Sequence, residues 1–279
     1  MMTSTSDRAF LWALASLAGM NLLLIVAMIV ADAIYGFSAL SGQAVREIVA
    51  EDSLRHSIRL TLVSCTITAI LCVLVSVPTG YLMSRYQFPG KALVDAILDI
   101  PIVLPPLVVG LSLLLLFNQM PPFAGSPSFE DMLNRAGVHV TFHFGAVILA
   151  QFVVACAFSI RSMRATFDQI SPRAEQVALT LGRSRAGAFF SVVIPEAERG
   201  IFKGGTLAWA RAMGEFGPIL VFAGTIQNRT EVLSSTVFLE ITTGNLEAAV
   251  FVSLLMVGIS IMVLVAVRFC DRNPGVAAP

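Results

Sequence analysis

Arg211 and Glu215 lie four residues apart inside an apolar stretch, about Gly200 to Gly224, that is long enough to cross a bilayer. Ionisable side chains at that depth cost at least a few kcal/mol and ordinarily face a bundle interior or a cavity. On a helix the i, i+4 spacing sets the two on one face, where they can pair. Three chemistries are open. The pair can fix one span against its neighbours; Arg211 can meet an anion with Glu215 as its restraint; or Glu215 can titrate as a proton carrier. His139 and His143 repeat the spacing and could share a helix face as metal ligands, but no glutamate lies between them and no third ligand is evident. Asp95 and Asp99 also stand four apart. There the preference of carboxylates for a helix N-terminus is explanation enough.

Enzymatic chemistry finds no foothold. No Gly-x-x-x-x-Gly-Lys-Ser/Thr phosphate loop occurs anywhere, so the chain has no cradle for ATP. Gly-x-Ser-x-Gly and His-Glu-x-x-His are missing as well. The expectation is a chain with no catalytic residue, no metal site and no cofactor of its own. Cys65, Cys72, Cys156 and Cys270 sit singly within or beside apolar stretches, in neither disulfide nor zinc spacing.

The elements that must position these residues are membrane spans. Apolar residues make up 56% of the 279 and charged residues 13%, with a mean hydropathy of +0.82. A soluble protein of this size could not hide so much apolar surface, so the natural solvent is a lipid bilayer. Eighteen basic residues balance eighteen acidic ones, which argues against a nucleic-acid partner. A spanning helix needs about 20 mostly apolar residues. Phe10–Ala31 carries no charge and is too long for a signal-peptide core, so it is expected to be retained as the first span. Leu60–Ser84 is the second. The third, about Ala92–Phe117, contains Pro101, Pro105 and Pro106 and must be kinked or partly unwound. Such breaks persist at membrane depth only against protein or a water-lined cavity, which hints at a conduit. The fourth runs about Val140–Ile160, the fifth about Gly200–Gly224 and the sixth Ala248–Val267. The fold class expected is therefore all-α and polytopic, with six transmembrane helices.

Basic residues orient these spans. Arg161, Arg164, Arg173, Arg183, Arg185, Arg199 and Lys203 crowd between spans four and five, so that loop belongs in the cytosol. Alternation then places Arg8, Arg85, Lys91, Arg268 and Arg272 inside too, leaving Arg46, Arg55, Arg59, Arg135 and Arg229 outside. Both termini are expected to be cytoplasmic.

The same loop carries the most informative spacing. Ser171 and Pro172 suit a helix start, a capping hydroxyl followed by proline in the first turn. Ala174, Val177 and Leu181 fall on one face, Gly182 suits a helix end, and Phe189 and Phe190 open a second apolar segment. Two short helices around a glycine elbow, in a basic and otherwise solvated loop, form a projection suited to another protein's grip.

This loop resembles the EAA loop of ABC-importer permeases. Nine residues separate Gly182 from Val192-Val193-Ile194-Pro195, as in that family. The Glu-Ala-Ala positions fall on Gln176, Val177 and Ala178, so only the second Ala is kept; Glu175, one place earlier, is a candidate for the missing charge. The resemblance covers about Ser57 to Arg268. Asp99 to Pro106 with Gly110, Ala210 to Gly217 with Ala223-Gly224, and Arg229 to Leu233 look most like permeases for molybdate, tungstate and sulfate.

The resemblance implies the type I importer permease fold. Residues 1–56 would form an N-terminal span and outer loop, 57–268 the permease domain with a coupling loop at 171–195, and 269–279 a cytoplasmic tail. It implies an inner-membrane subunit served by partners: two ATP-binding cassette subunits holding ATP and Mg, an extracytoplasmic solute-binding protein and a second permease copy. Glu175, Gln176, Ala178, Gly182 and Pro195 would meet the ATPase. Pro105, Pro106, Arg211, Met213, Gly214, Glu215, Phe216 and Gly217 are the candidates for the translocation path and gate, Met213 and Phe216 as an apolar constriction. The binding protein would dock on outer loops at Asn118–Gly137 and Thr225–Asn245. The competing expectations are a proton-coupled carrier or channel using Glu215, an ABC permease for a different solute, and a structural membrane scaffold that uses the loop for assembly.

Overall fold

The computed structural model describes residues 5–39, 42–121 and 127–272. Part of the expected outer loop, 122–126, and part of the expected tail, 273–279, lie outside the described residues. Every regular element among the described residues is helical. In chain order they are α1 (Thr5–Ala39), α2 (Gly42–Ala50), α3 (Asp52–Arg85), α4 (Lys91–Val103), α5 (Pro106–Asn118), α6 (Phe129–Arg135) and α7 (Phe144–Gln169). Then come α8 (Pro172–Thr180), α9 (Arg185–Ala188), a π turn over Phe189–Val193, α10 (Ile194–Met213), α11 (Gly217–Phe222), α12 (Leu233–Thr243) and α13 (Leu246–Arg272).

Four of these, at Phe10–Ser38, Asp52–Arg85, Phe144–Gln169 and Leu246–Val265, are long and apolar enough to cross a membrane. The expected third span is unwound at 104–105, which divides it into α4 and α5 at 112° to each other. Its cause is local. Leu104 and Pro105 each precede a proline, and both are driven to extended backbone, with ψ 139° and 135°. Pro106 then opens α5, where its missing donor costs nothing. The expected fifth span is also divided. Helix α10 begins earlier, at Ile194, and stops at Met213; α11 resumes at Gly217. The fourth begins and ends later than expected, because Val140–His143 is a turn and α7 continues to Gln169.

Helices α3 and α7 form the central pair, and α10 packs across both. Within the pair Thr68 donates to Gln151 at 3.1 Å and Ser159 to Ser76 at 2.9 Å, so buried hydroxyls are satisfied between helices. Met163, Phe167, Val193 and Ala197 fill the core at one end. Val109, Val147, Ile219 and Phe222 fill it near the other. Helix α5 lies on α11, α12 on α13, and α1 on α13.

Contact between α5 and α11 is backbone to backbone. A Cβ on Gly110 would stand 2.8 Å from the Cα of Pro218, and one on Gly217 would stand 2.7 Å from the Cβ of Pro106. Both broken elements therefore meet at their breaks.

Candidate functional site

The projecting loop is built by a sequence of caps. Ser171 accepts from the backbone N–H of Arg173 at 3.4 Å and starts α8. At the other end Gly182 takes a left-handed φ of 85°, with its N–H on Leu179 O and the Arg183 N–H on Ala178 O. That double bond is the Schellman closure, and the left-handed position is where glycine is least strained. Ser184 then caps α9 by accepting from Gly187 at 3.1 Å. A five-residue π turn joins α9 to α10, and Pro195 sits in the first turn of α10, where a proline is tolerated.

Three large apolar side chains are exposed on the loop, beside the exposed Arg173, Arg183 and Arg185. Val177 is 56% exposed, Leu181 80% and Phe190 69%. Gln176 and Pro195 are exposed and Ala178 is half-buried. Glu175, the candidate for an outward-facing charge, points the other way. It accepts a short hydrogen bond from the Tyr81 hydroxyl of α3 and lies 3.7 Å from Arg85 Nε. Arg85 in turn donates to Ile170 O at 2.9 Å. The carboxylate thus clamps α8 to the end of α3, with 14% of its side chain exposed. Its neighbours Tyr81 and Arg85 carry nothing in sequence that announces this contact.

The second cluster surrounds the two helix breaks. Arg211 and Glu215 do pair, Nη1 to Oε1 at 2.6 Å, but not along a helix face. Glu215 lies beyond the end of α10, so the pair reaches across a helix terminus where a cation is favoured. Glu215 is almost fully buried, whereas about a third of the Arg211 side chain is exposed, with its guanidinium 5.3 Å from the Phe158 ring centroid. Ser234 donates to Glu215 O at 2.8 Å and ties the break to α12. Gly214 is exposed and carries the backbone out of the helix. Phe216 is half-buried, its ring 4.9 Å from that of Phe238. Pro105 and Pro106 are exposed at the other break, facing Gly217. Met213 is buried with Cys65, Cys72, Ala208 and Ala212 and packs helices together.

Asp95 and Asp99 also depart from expectation. Neither lies in the first turn of α4. Asp95 pairs with Arg164 of α7, and Asp99 with Arg161 at 2.8 Å. The matching signal was present in sequence, as carboxylates i, i+4 on one helix and arginines i, i+3 on another.

At the opposite end, His139 and His143 share no helix, since His143 is the residue that caps α7 and His139 precedes it in a turn. Their rings stack at 5.4 Å. His143 Nδ1 faces Thr141 O at 2.9 Å, and its Nε2 meets the Arg229 guanidinium. Both ring nitrogens of His143 are thereby engaged, and among the described residues no group of three ligands gathers for a metal. Glu130 holds this region, accepting from Val140 N, Thr141 N and the Thr141 hydroxyl at 3.0–3.2 Å. Glu231 is buried beside Thr236, which donates to it at 2.9 Å. Burial pushes its carboxyl up from the ordinary 4.5, against the Thr236 hydrogen bond, and the carboxylates of Glu240 and Glu51 add to the rise.

The family described as binding-protein-dependent transport system inner membrane component matches residues 76–273. The molybdate/tungstate transport system permease protein WtpB of Pyrococcus abyssi is 33% identical over 214 residues, 77% of each chain. The molybdenum transport system permease protein ModB of Escherichia coli K12 is 36% identical over 177 residues, 62% of this chain and 75% of that one. The sulfate transport system permease protein CysT of the same organism is 27% identical over 229 residues, 82% of this chain and 80% of its own. Among solved structures, a chain of a bacterial alginate ABC transporter in complex with an alginate pentasaccharide-bound periplasmic protein superposes with a TM-score of 0.72 at 15% identity. That match covers 96% of this chain and 95% of that one, and shows a shared fold.

Proposed function

The chain belongs to the ABC-importer permeases, the binding-protein-dependent transport system inner membrane components, and from that premise we propose that it conducts a tetrahedral oxyanion. Molybdate or tungstate ranks first and sulfate next, in keeping with the substrates for which its relatives are named. Six crossings would be made by α1, α3, the α4–α5 pair, α7, α10 with α11, and α13. The loop at 171–195 faces the cytosol of a bacterial inner membrane, and both termini lie on that side.

One observation carries the reading: an apolar tip of Val177, Leu181 and Phe190 stands exposed on a loop that caps and clamps hold in shape. A pre-shaped apolar projection suits docking into another protein's groove. The occupant of that role is an ATP-binding cassette subunit, two copies serving two permease copies. ATP and its Mg ion sit there, since this chain has no phosphate loop. An external binding protein delivers the anion to the outer loops. The pore forms between the two permeases along the α4–α5 and α10–α11 breaks. ATP binding favours one arrangement of the helices and hydrolysis returns the other.

The test is uptake by proteoliposomes holding the chain with its partner ATPase and binding protein, using labelled molybdate, tungstate and sulfate. Uptake is expected only with ATP, unaffected by a protonophore, and competition ranks the anions. Flux that persists without ATP and collapses with the protonophore overturns the reading in favour of a proton-coupled carrier. ATP hydrolysis without uptake of any of the three removes the oxyanion.

A further inference from the structure

Helix α4 has no fully buried side chain, yet it is held against α7. Leu98 packs against the core that Ala155, Cys156 and Ile160 of α7 help to form, and ion pairs supply the polar part of the attachment. Asp95 meets Arg164, and Asp99 meets Arg161 at 2.8 Å. Arg164 also lies 3.9 Å from Asp168, and Asp168 accepts from Ser84 of α3 at 2.5 Å. Three carboxylates and two guanidinium groups thus join the ends of α3, α4 and α7. All five side chains are at least a third exposed. Half-solvated pairs of this kind break and re-form readily, unlike a close-packed apolar contact.

This network stands between two other features. On one side, α7 ends at Gln169, five residues past Arg164, and the projecting loop starts at Ser171. Arg85 and Glu175 fasten that loop to the same end of α3. On the other side, α4 leads through Leu104 and Pro105 into α5, whose Gly110 touches Pro218 of α11. Gly217 touches Pro106 in return, so α5 cannot shift without pushing α11 and the 214–216 break. The pairs of Asp95 and Asp99 with Arg164 and Arg161 are the half-solvated links in this series, whereas Arg85 and Glu175, each 14% exposed, form a largely buried one.

We propose that Asp95 and Asp99 with Arg161 and Arg164 form a releasable latch that transmits movement of the projecting loop to the two helix breaks. They are positioning residues: none touches the solute, and their effect is on uptake per ATP consumed. The proposal rests on the importer reading above.

Its test uses the reconstituted complex with binding protein, measuring ATP hydrolysis and anion uptake together. Asp95→Arg and Arg164→Asp alone are each expected to keep hydrolysis near the unmodified rate while lowering uptake per ATP about tenfold, within the span of ordinary coupling effects. The double exchange, which restores an opposed pair, is expected to recover most of that loss. The volume-conserving pair Asp95→Asn and Asp99→Asn decides the matter should the reversals fail to assemble, and is expected to show the same loss. Uptake per ATP unchanged in that pair, or a folded double exchange that recovers nothing, overturns the latch. An unmodified complex without ATP-dependent uptake removes the importer reading and the latch with it, so the two failures are told apart.

Discussion

Arg211 and Glu215 differ in what the loss of each would leave behind. Arg211→Ala strands a buried carboxylate, a loss on the order of 3 kcal/mol when one partner of a buried pair is removed. Arg211→Ala with Glu215→Ala is expected to cost less than the single change, because no charge is left unpaired. Thermal unfolding in detergent reads both; a double variant no more stable than the single one argues against pairing. Arg211→Lys keeps the charge but not the guanidinium fork, so a large loss of transport with stability intact would point to recognition of an anion. Gly182 makes a separate claim on backbone. A Cβ there meets nothing within 4 Å, so only its φ of 85° resists substitution. Gly182→Val is expected to cost about 1–2 kcal/mol locally, and Gly182→Asn much less. ATP-driven uptake should follow that order while membrane insertion stays unchanged. For Glu231, burial raises the folded-state carboxyl above its ordinary 4.5. The protonated form is therefore favoured by folding, and its contribution falls as pH rises from 4.5 through the raised value. Glu231→Gln should flatten the dependence of the melting temperature on pH over that window.

At the scale of elements, the loop makes the plainest prediction. Leu181→Asp places a charge on an exposed tip and should leave the chain's own melting temperature nearly unchanged. Co-purification with the ATPase subunit should fall by about tenfold or more, as for loss of an apolar anchor. Retention of the partner would show that the tip is not the docking surface. Much of this element could be read from sequence: Ser171, Pro172 and Gly182 act through local backbone chemistry, which spacing reveals. The direction of Glu175 could not, because Tyr81 and Arg85 are about ninety residues away in sequence and reach it only through the α3–α7 pairing. The partners of Asp95 and Asp99 also lie on another helix: Arg161 and Arg164 have a matching spacing, but nothing local shows that the two helices meet. Pro105 and Pro106 announced a break, but consecutive prolines force two extended residues, which turns a kink into a 112° corner. His139 and His143 kept the spacing of a helical pair while the backbone between them turned.

Over the whole molecule, the four long apolar helices at Phe10–Ser38, Asp52–Arg85, Phe144–Gln169 and Leu246–Val265 were legible because hydropathy acts through composition alone. The placement of Met213 was not, since whether a residue faces a lumen or a neighbour depends on packing between helices distant in sequence. In the proposed six-crossing arrangement, the breaks at 104–105 and 214–216 are the irregular backbone that membrane interiors tolerate only against protein or water. They meet through Gly110 on Pro218 and Gly217 on Pro106. Neither contact includes a long side chain that could be trimmed to admit a bulkier neighbour. Those four positions are expected to change together or not at all, whereas the exposed faces of α1 should accept one aliphatic residue for another. A chimera that borrows α5 from a relative should therefore fold only when it borrows α11 from the same donor.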